Sequence, residues 1–161
     1  MVFAAVQESM VPLSHWMPWC HPDYSIADSE GWLKITKSSW EEDSAYEFAI
    51  IDSKDGSYIG GCGLNHIDNV NKLANLGYWV RSSRCKQGIA TRAANLLIQF
   101  GLHTLKLNRI EIVAAMENSA SRRVAAKVGA VQEGILRHLL SMPDKVHDAV
   151  LFSIIPADRS I

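Results

Sequence analysis

The chain has 161 residues, 48% of them hydrophobic, and a formal net charge of −1. Its length suits one domain, residues 1–161, with a substantial core, and its near-neutral charge argues against general nucleic-acid binding as the main business. No apolar run is long enough to cross a bilayer and the opening Met-Val-Phe-Ala-Ala-Val-Gln-Glu lacks a basic leader, so a cytoplasmic protein without a membrane partner is expected.

Phe3 to Ser9 has helical spacing, with Val2, Val6 and Met10 on one face, and the helix is predicted to end before Pro12. Leu13 to Trp19 sets Trp16 and Trp19 three apart, as a plug that anchors a turn or as one wall of a pocket. Ser25 to Glu42 reads as an amphipathic helix with Ile26, Trp32, Leu33, Ile35 and Trp40 as its apolar members, weakened by Gly31. Strand character follows over Ala45 to Asp52, then an Asp55-Gly56 hairpin signal, then a strand over Tyr58 to Ile67. The glycines at 60, 61 and 63 predict a bulge or a close backbone approach; they lack the following helix that a dinucleotide fingerprint requires.

Asp68 to Lys72 turns the chain into a strand over Leu73 to Val80, followed by the polar connection Arg81 to Gln87. Gly88 opens a long helix, predicted to run to about Lys106, with Ile89, Ala93, Leu96, Leu97 and Phe100 on its buried face. A helix starting at glycine leaves several N–H groups unpaired at the positive end of its dipole, and Arg81, Arg84 and Lys86 add charge. That combination suits a phosphate or pyrophosphate. Arg109 to Ala115 reads as a strand, Ser119 to Val128 as a short helix, and Ala130 to Leu136 and Val146 to Ile155 as two closing strands. Hairpins combined with one strand-helix-strand crossover predict an α/β chain of the α+β kind: a mixed, mostly antiparallel central sheet with helices on both faces.

Five motifs occur in an order and spacing that resemble the GNAT acyl-CoA N-acyltransferases: Trp16-Met-Pro-Trp19, Gly77-Tyr-Trp-Val80, Gln87-Gly-Ile-Ala-Thr91, Asn118-Ser-Ala-Ser121 before Lys127-Val-Gly129, and His147-Asp148-Ala-Val-Leu. The first and last resemble more narrowly the RimJ/RimL branch, whose members acetylate protein N-terminal amines or small amines. The resemblance implies the GNAT fold, acetyl-CoA as co-substrate and an amine acceptor, and it leaves a homodimer open. Members usually begin with a strand ahead of the first helix; here either the sheet lacks that edge strand or residues upstream of Met1 supply it.

The family roles transfer residue by residue. The backbone of Tyr78, Trp79 and Val80 corresponds to the segment that polarises the thioester carbonyl where two strands splay apart. The amides of Gln87, Gly88, Ile89, Ala90 and Thr91 correspond to the pyrophosphate loop, where Cys85 replaces a common Gln or Arg and Arg84 is expected to supply the charge. Asn118 corresponds to the asparagine on the pantetheine arm; capping its helix is a compatible role. The tyrosine that protonates the leaving thiolate in many members is Ala125 here, whereas Ser121 matches the serine that RimJ/RimL members place at the sulfur. Trp16 and Trp19 fall at the acceptor pocket, and Arg122 and Arg123 at the adenosine end.

The general base is the open position. Asn75 stands where relatives carry a glutamate; its amide accepts no proton but is able to hold a water that does, and Glu47, His66, Glu111 and Asp148 are the other candidates. A protein α-amine titrates near 7.7 to 8 and a lysine near 10.4, so a weak base favours an N-terminal acceptor. The alternatives are a small-molecule amine acceptor and a non-catalytic CoA-binding protein. The three cysteines and six histidines form no CxxC, HExxH or zinc spacing, so no metal is expected. His147 and Asp148, neighbours on a strand, should face opposite ways in structural roles.

Overall fold

The computed structural model describes residues 1–159. Six strands form one sheet in the order β1-β2-β3-β4-β6-β5: β1 (Tyr46–Ile51), β2 (Tyr58–Asp68), β3 (Leu73–Val80), β4 (Arg109–Ala115), β5 (Val131–Ser141) and β6 (Val146–Ile154). Only β3 and β4 run parallel, because α4 (Ile89–Gln99) makes the crossover between them. Alternation along β3 divides the interior. Ala74, Leu76 and Tyr78 pack toward Ala94, Leu97 and Ile98 of α4, whereas Trp79 packs on the other face against Val6, Leu13, Cys20 and Tyr24. Helices therefore cover both faces, as expected.

The predicted short helix is α1 (Val2–Glu8), which ends before Pro12 as expected, and a second helix that was not predicted, α2 (Met10–Trp16), follows across Ser9. Pro12 lies in the first turn of α2, where the amide it lacks would have no helical acceptor. The α3 helix (Ile26–Glu41) starts at a Ser25/Asp28 capping box, but its apolar face is not buried as an amphipathic helix would have it. Ile26, Leu33 and Ile35 are more than half exposed, and Trp40 alone tucks against Tyr46, Phe48 and Phe100. The long helix from Gly88 is α-helical only to Gln99 and closes with a π turn over Phe100–Thr104, where Leu105 N–H bonds the Phe100 carbonyl at 3.1 Å. The strand predicted to stop at Leu136 runs on to Ser141, its pairing interrupted between Leu136 and Leu140, with His138 at φ 53°. α5 (Ser119–Lys127) precedes β5, and the Asn118 side chain caps it.

Candidate active site

β3 and β4 pair only from Leu73–Asn75 to Arg109–Glu111. Beyond that they diverge, because β3 stays on β2 to Val80 while β4 stays on β6 to Ala115. Leu76 to Trp79 and Ile112 to Ala115 thus become opposite walls of a cleft of about 790 Å³. Arg81 N–H bonds the Ile59 carbonyl, so by alternation Trp79 and Gly77 spend their backbone groups on β2. The amides of Tyr78 and Val80 point toward the gap.

At one wall the start of α5 meets β3. Asn118 Oδ1 accepts the Ser121 N–H at 3.0 Å, and the Tyr78 hydroxyl lies 3.1 Å from both Oγ and the carbonyl oxygen of Ser121. Sequence reading missed this hydroxyl pair, since the partners stand 43 positions apart and Tyr78 was weighed only for its backbone. Burial pushes the Tyr78 phenol up, partly opposed by its bond to Ser121.

The same cleft takes in Trp16, Trp19, Asn75, Tyr78, Trp79, Asn118 and Ser121 but does not include Val80 or the loop 87–91. Trp19 and Trp79 pack at 6.0 Å between centroids, while Trp16 stacks edge-on against His147 at 6.1 Å. Of the other base candidates, Glu47 and His66 line the cleft. Glu111 instead binds Arg109 at 2.7 Å, and Asp148 accepts the His138 amide at 2.8 Å. His147 turns the opposite way from Asp148, as expected; it is buried between Glu117 at 3.2 Å and Asp144 at 3.0 Å.

Past Val80, Gly88 sits at φ 74° as the cap of α4, with no side-chain cap and no acid in the first turn. Arg92 makes the first bond back to Gly88, so the amides of Ile89, Ala90 and Thr91 have no helical acceptor. A positive φ suits glycine, and a Cβ here would meet only the tip of Arg92, so the approach to these amides is open. The expected charge from Arg84 is not delivered. Arg84 is held 2.6 Å from Asp52 and 3.9 Å from Asp55, and Arg81 is bound by Glu8. Glu8 also accepts the Ser83 amide, and Arg81 first and Ser83 second hold its carboxyl at about 2, while Ser9 Oγ accepts the Ser82 amide. The end of α1 thereby clamps the connection between strand and helix. Arg122 and Arg123 are likewise engaged, with the Met116 carbonyl and the Ser119 hydroxyl.

The Acetyltransferase (GNAT) domain family matches residues 2–131. The chain belongs to the GNAT family of acetyltransferases. YdaF of Bacillus subtilis, provisionally named a ribosomal N-acetyltransferase, is 38% identical over 101 residues, 63% of this chain and 55% of that protein. The Escherichia coli ribosomal-protein-serine acetyltransferase is 32% identical over 100 residues, 62% of this chain and 56% of that one. The chain spans just over half the length of these two relatives. Among solved structures, RimJ of Mycobacterium smegmatis, in complex with a CoA disulfide, superposes with a TM-score of 0.85 at 25% identity, covering 98% of this chain and 76% of that one. The GNAT domain thus has relatives of RimJ/RimL kind, and the family uses acetyl-CoA. Among the described residues no helix is long and apolar enough to cross a membrane, and no group of three His, Cys, Asp or Glu is placed to hold a metal.

Proposed function

We propose that this chain transfers the acetyl group of acetyl-CoA directly to a primary amine, and that the acceptor is the α-amine of a protein N-terminus beginning with Ala or Ser, as on ribosomal proteins. The observation that carries the reading is the gap between β3 and β4, which brings the Tyr78 amide and one hydroxyl pair to a single cleft, with the Val80 amide just beyond it. The residues fit acetyl-CoA. Unpaired amides at an uncapped helix start suit its pyrophosphate, and Asn118, with Oδ1 spent on the cap, keeps an N–H for the pantetheine arm. When bound, acetyl-CoA supplies an acetyl carbon activated as a thioester.

Tyr78 and Val80 donate their backbone N–H groups toward the thioester oxygen, where negative charge develops. Ser121 gives its hydroxyl proton to the departing sulfur and regains, through the Tyr78 phenol, the N–H proton that the acylated nitrogen loses. Trp16 and Trp19 bound the acceptor side. Asn75 stands at the floor as a polar group that holds the proton route open. A weakly basic site of this kind suits an amine that is partly neutral near pH 7, which an α-amine is and a lysine is not. The two relatives named for ribosomal proteins support the same acceptor class.

The test is incubation with acetyl-CoA and a panel of Ala-, Ser- and Lys-initiated peptides, each with a blocked-terminus twin, alongside a polyamine. Mass spectrometry should find acetyl on the free N-termini of the Ala and Ser peptides. Acetylation of the polyamine alone would move the acceptor to small amines, and binding of acetyl-CoA without product would contradict the enzyme reading.

A further inference from the structure

The β3 position where relatives carry a glutamate is Asn75, yet the cleft floor does hold a carboxylate, on a different strand. Glu47 of β1 lies opposite Gly63 of β2, which lies opposite Gly77 of β3, so one row across the sheet has a side chain at one end only. The Glu47 carboxylate occupies the space that a Cβ on Gly63 would take. This is the close approach that the glycine-rich strand predicts: bare backbone lets a side chain from the edge strand reach across β2 toward the β3–β4 gap.

The carboxylate is held there. Asn75 Nδ2 donates to Asn65 Oδ1 at 2.9 Å, and the Asn65 side chain in turn hydrogen-bonds Glu47. Beside it, the Tyr58 hydroxyl is buried, faces Gly61 and has no hydrogen-bond partner among the described residues. Trp79 packs on Tyr58 at 5.8 Å and on Trp19 at 6.0 Å. A carboxylate, an unpaired hydroxyl and indole rings around one pocket form a receptor for a primary ammonium group.

We propose that Glu47 receives the acceptor's ammonium and takes its proton, with the Tyr58 hydroxyl as a second contact and the Asn75–Asn65 amide chain as the positioning device. The assignment rests on the acyl-CoA reading of the cleft. In the step, one ammonium N–H bond breaks and its proton passes to a Glu47 oxygen. The freed nitrogen pair forms the C–N bond to the acetyl carbon, the C–S bond breaks, the sulfur leaves with the Ser121 proton, and the acylated nitrogen gives up a second N–H proton that returns to Ser121 through the Tyr78 phenol. Glu47 then releases its proton to solvent through the open cleft. Burial raises the Glu47 carboxyl from its ordinary value, with the Asn65 bond opposing. Tyr58 lies beside it and is itself pushed up by burial; Cys62, next to Gly63 in the chain, packs on the opposite sheet face and is pushed up to about 12; Tyr24, Asp28 and His66 line the same cleft.

The experiment measures binding of an Ala-initiated hexapeptide and its N-acetylated twin by calorimetry with CoA present, for wild type, Glu47→Gln and Gly63→Ala. Glu47→Gln should bind the free-amine peptide roughly tenfold or more weakly, with no change for the acetylated twin or for CoA. Gly63→Ala, which displaces the carboxylate without altering it, should reproduce that loss. In turnover the acid limb of the kcat/KM profile should disappear in Glu47→Gln and persist in His66→Gln and Asp28→Asn. Equal peptide affinity and an unchanged acid limb in Glu47→Gln would overturn the role. Failure of CoA to bind the wild type would instead overturn the acyl-CoA reading beneath it.

Discussion

Substituting Gly88 separates charge from shape at the proposed pyrophosphate cradle. The residue sits at φ 74°, so any side chain is strained there, but Asn and Asp tolerate left-handed backbone better than other residues and have the same size. Gly88→Asn therefore reports strain and bulk, and Gly88→Asp adds only a negative charge beside the amides of Ile89, Ala90 and Thr91. A unit charge about 4 Å from another costs ~1 kcal/mol in water and ~4 kcal/mol at an effective dielectric of 20. A cradle at the surface falls between these limits, and ~1.4 kcal/mol is tenfold in affinity. The aspartate variant should thus bind CoA more weakly than the asparagine variant, by roughly 5-fold or more. The difference should shrink in ~1 M salt, where the screening length falls to ~3 Å. Calorimetry with CoA at low and high salt measures both effects, and thermal melts check that the two variants are equally folded. Equal CoA affinity for Asn and Asp at low salt would refute the assignment of this helix start to a phosphate.

The hydroxyl pair predicts that Ser121→Ala lowers kcat by roughly 10- to 100-fold with CoA affinity intact, and that Tyr78→Phe produces a smaller fall in the same direction; saturating-substrate rates check both. His147 is held above its ordinary value by Asp144 first and Glu117 second, so its contribution to stability is complete below the unfolded value near 6.5 and is lost as pH rises through the raised folded value. Melting temperature should accordingly decline across that window in wild type and be flatter there in His147→Gln. Glu8 runs the other way: its carboxyl is lowered to about 2, chiefly by Arg81, so the clamp on the 82–83 connection holds above the unfolded value and is lost as pH falls toward 2. Glu8→Gln should remove part of the acid-induced drop in stability and loosen CoA binding at neutral pH.

Elements with one strong local signal were legible in the sequence. The strands Tyr46–Ile51, Tyr58–Asp68 and Leu73–Val80 are β-favouring runs parted by the turn signals at Asp55-Gly56 and Asp68 to Lys72, and a glycine opens the apolar helical pattern of α4. The helix α2 was not predicted because Pro12 reads as a break, whereas it occupies a first turn where its missing donor costs little. The length of β5 was hidden by Arg137 and His138, polar residues at an irregularity on an edge strand where solvent accepts them. At the site, Asn118 and Ser121 were singled out by the family resemblance, and the fold sets both at the cleft, one turn apart at the start of α5. The Tyr78 hydroxyl and the Glu47 carboxylate were not assigned, since each reaches its place across neighbouring elements and single-sequence periodicity carries no such register. Arg84 was misjudged for the same reason: its charge is spent on Asp52 and Asp55 near the β1–β2 turn, which only the folded chain brings alongside.

The central claim is direct acetyl transfer at the gap between β3 and β4, and the most direct measurement is thiol release from acetyl-CoA as the acceptor is added. An Ala- or Ser-initiated peptide should release thiol in step with N-acetyl peptide formation, its blocked twin should release none, and Ser121→Ala should slow the release without weakening CoA binding. Thiol release that ignores the state of the peptide terminus, or CoA binding with no release for any amine, would contradict the account.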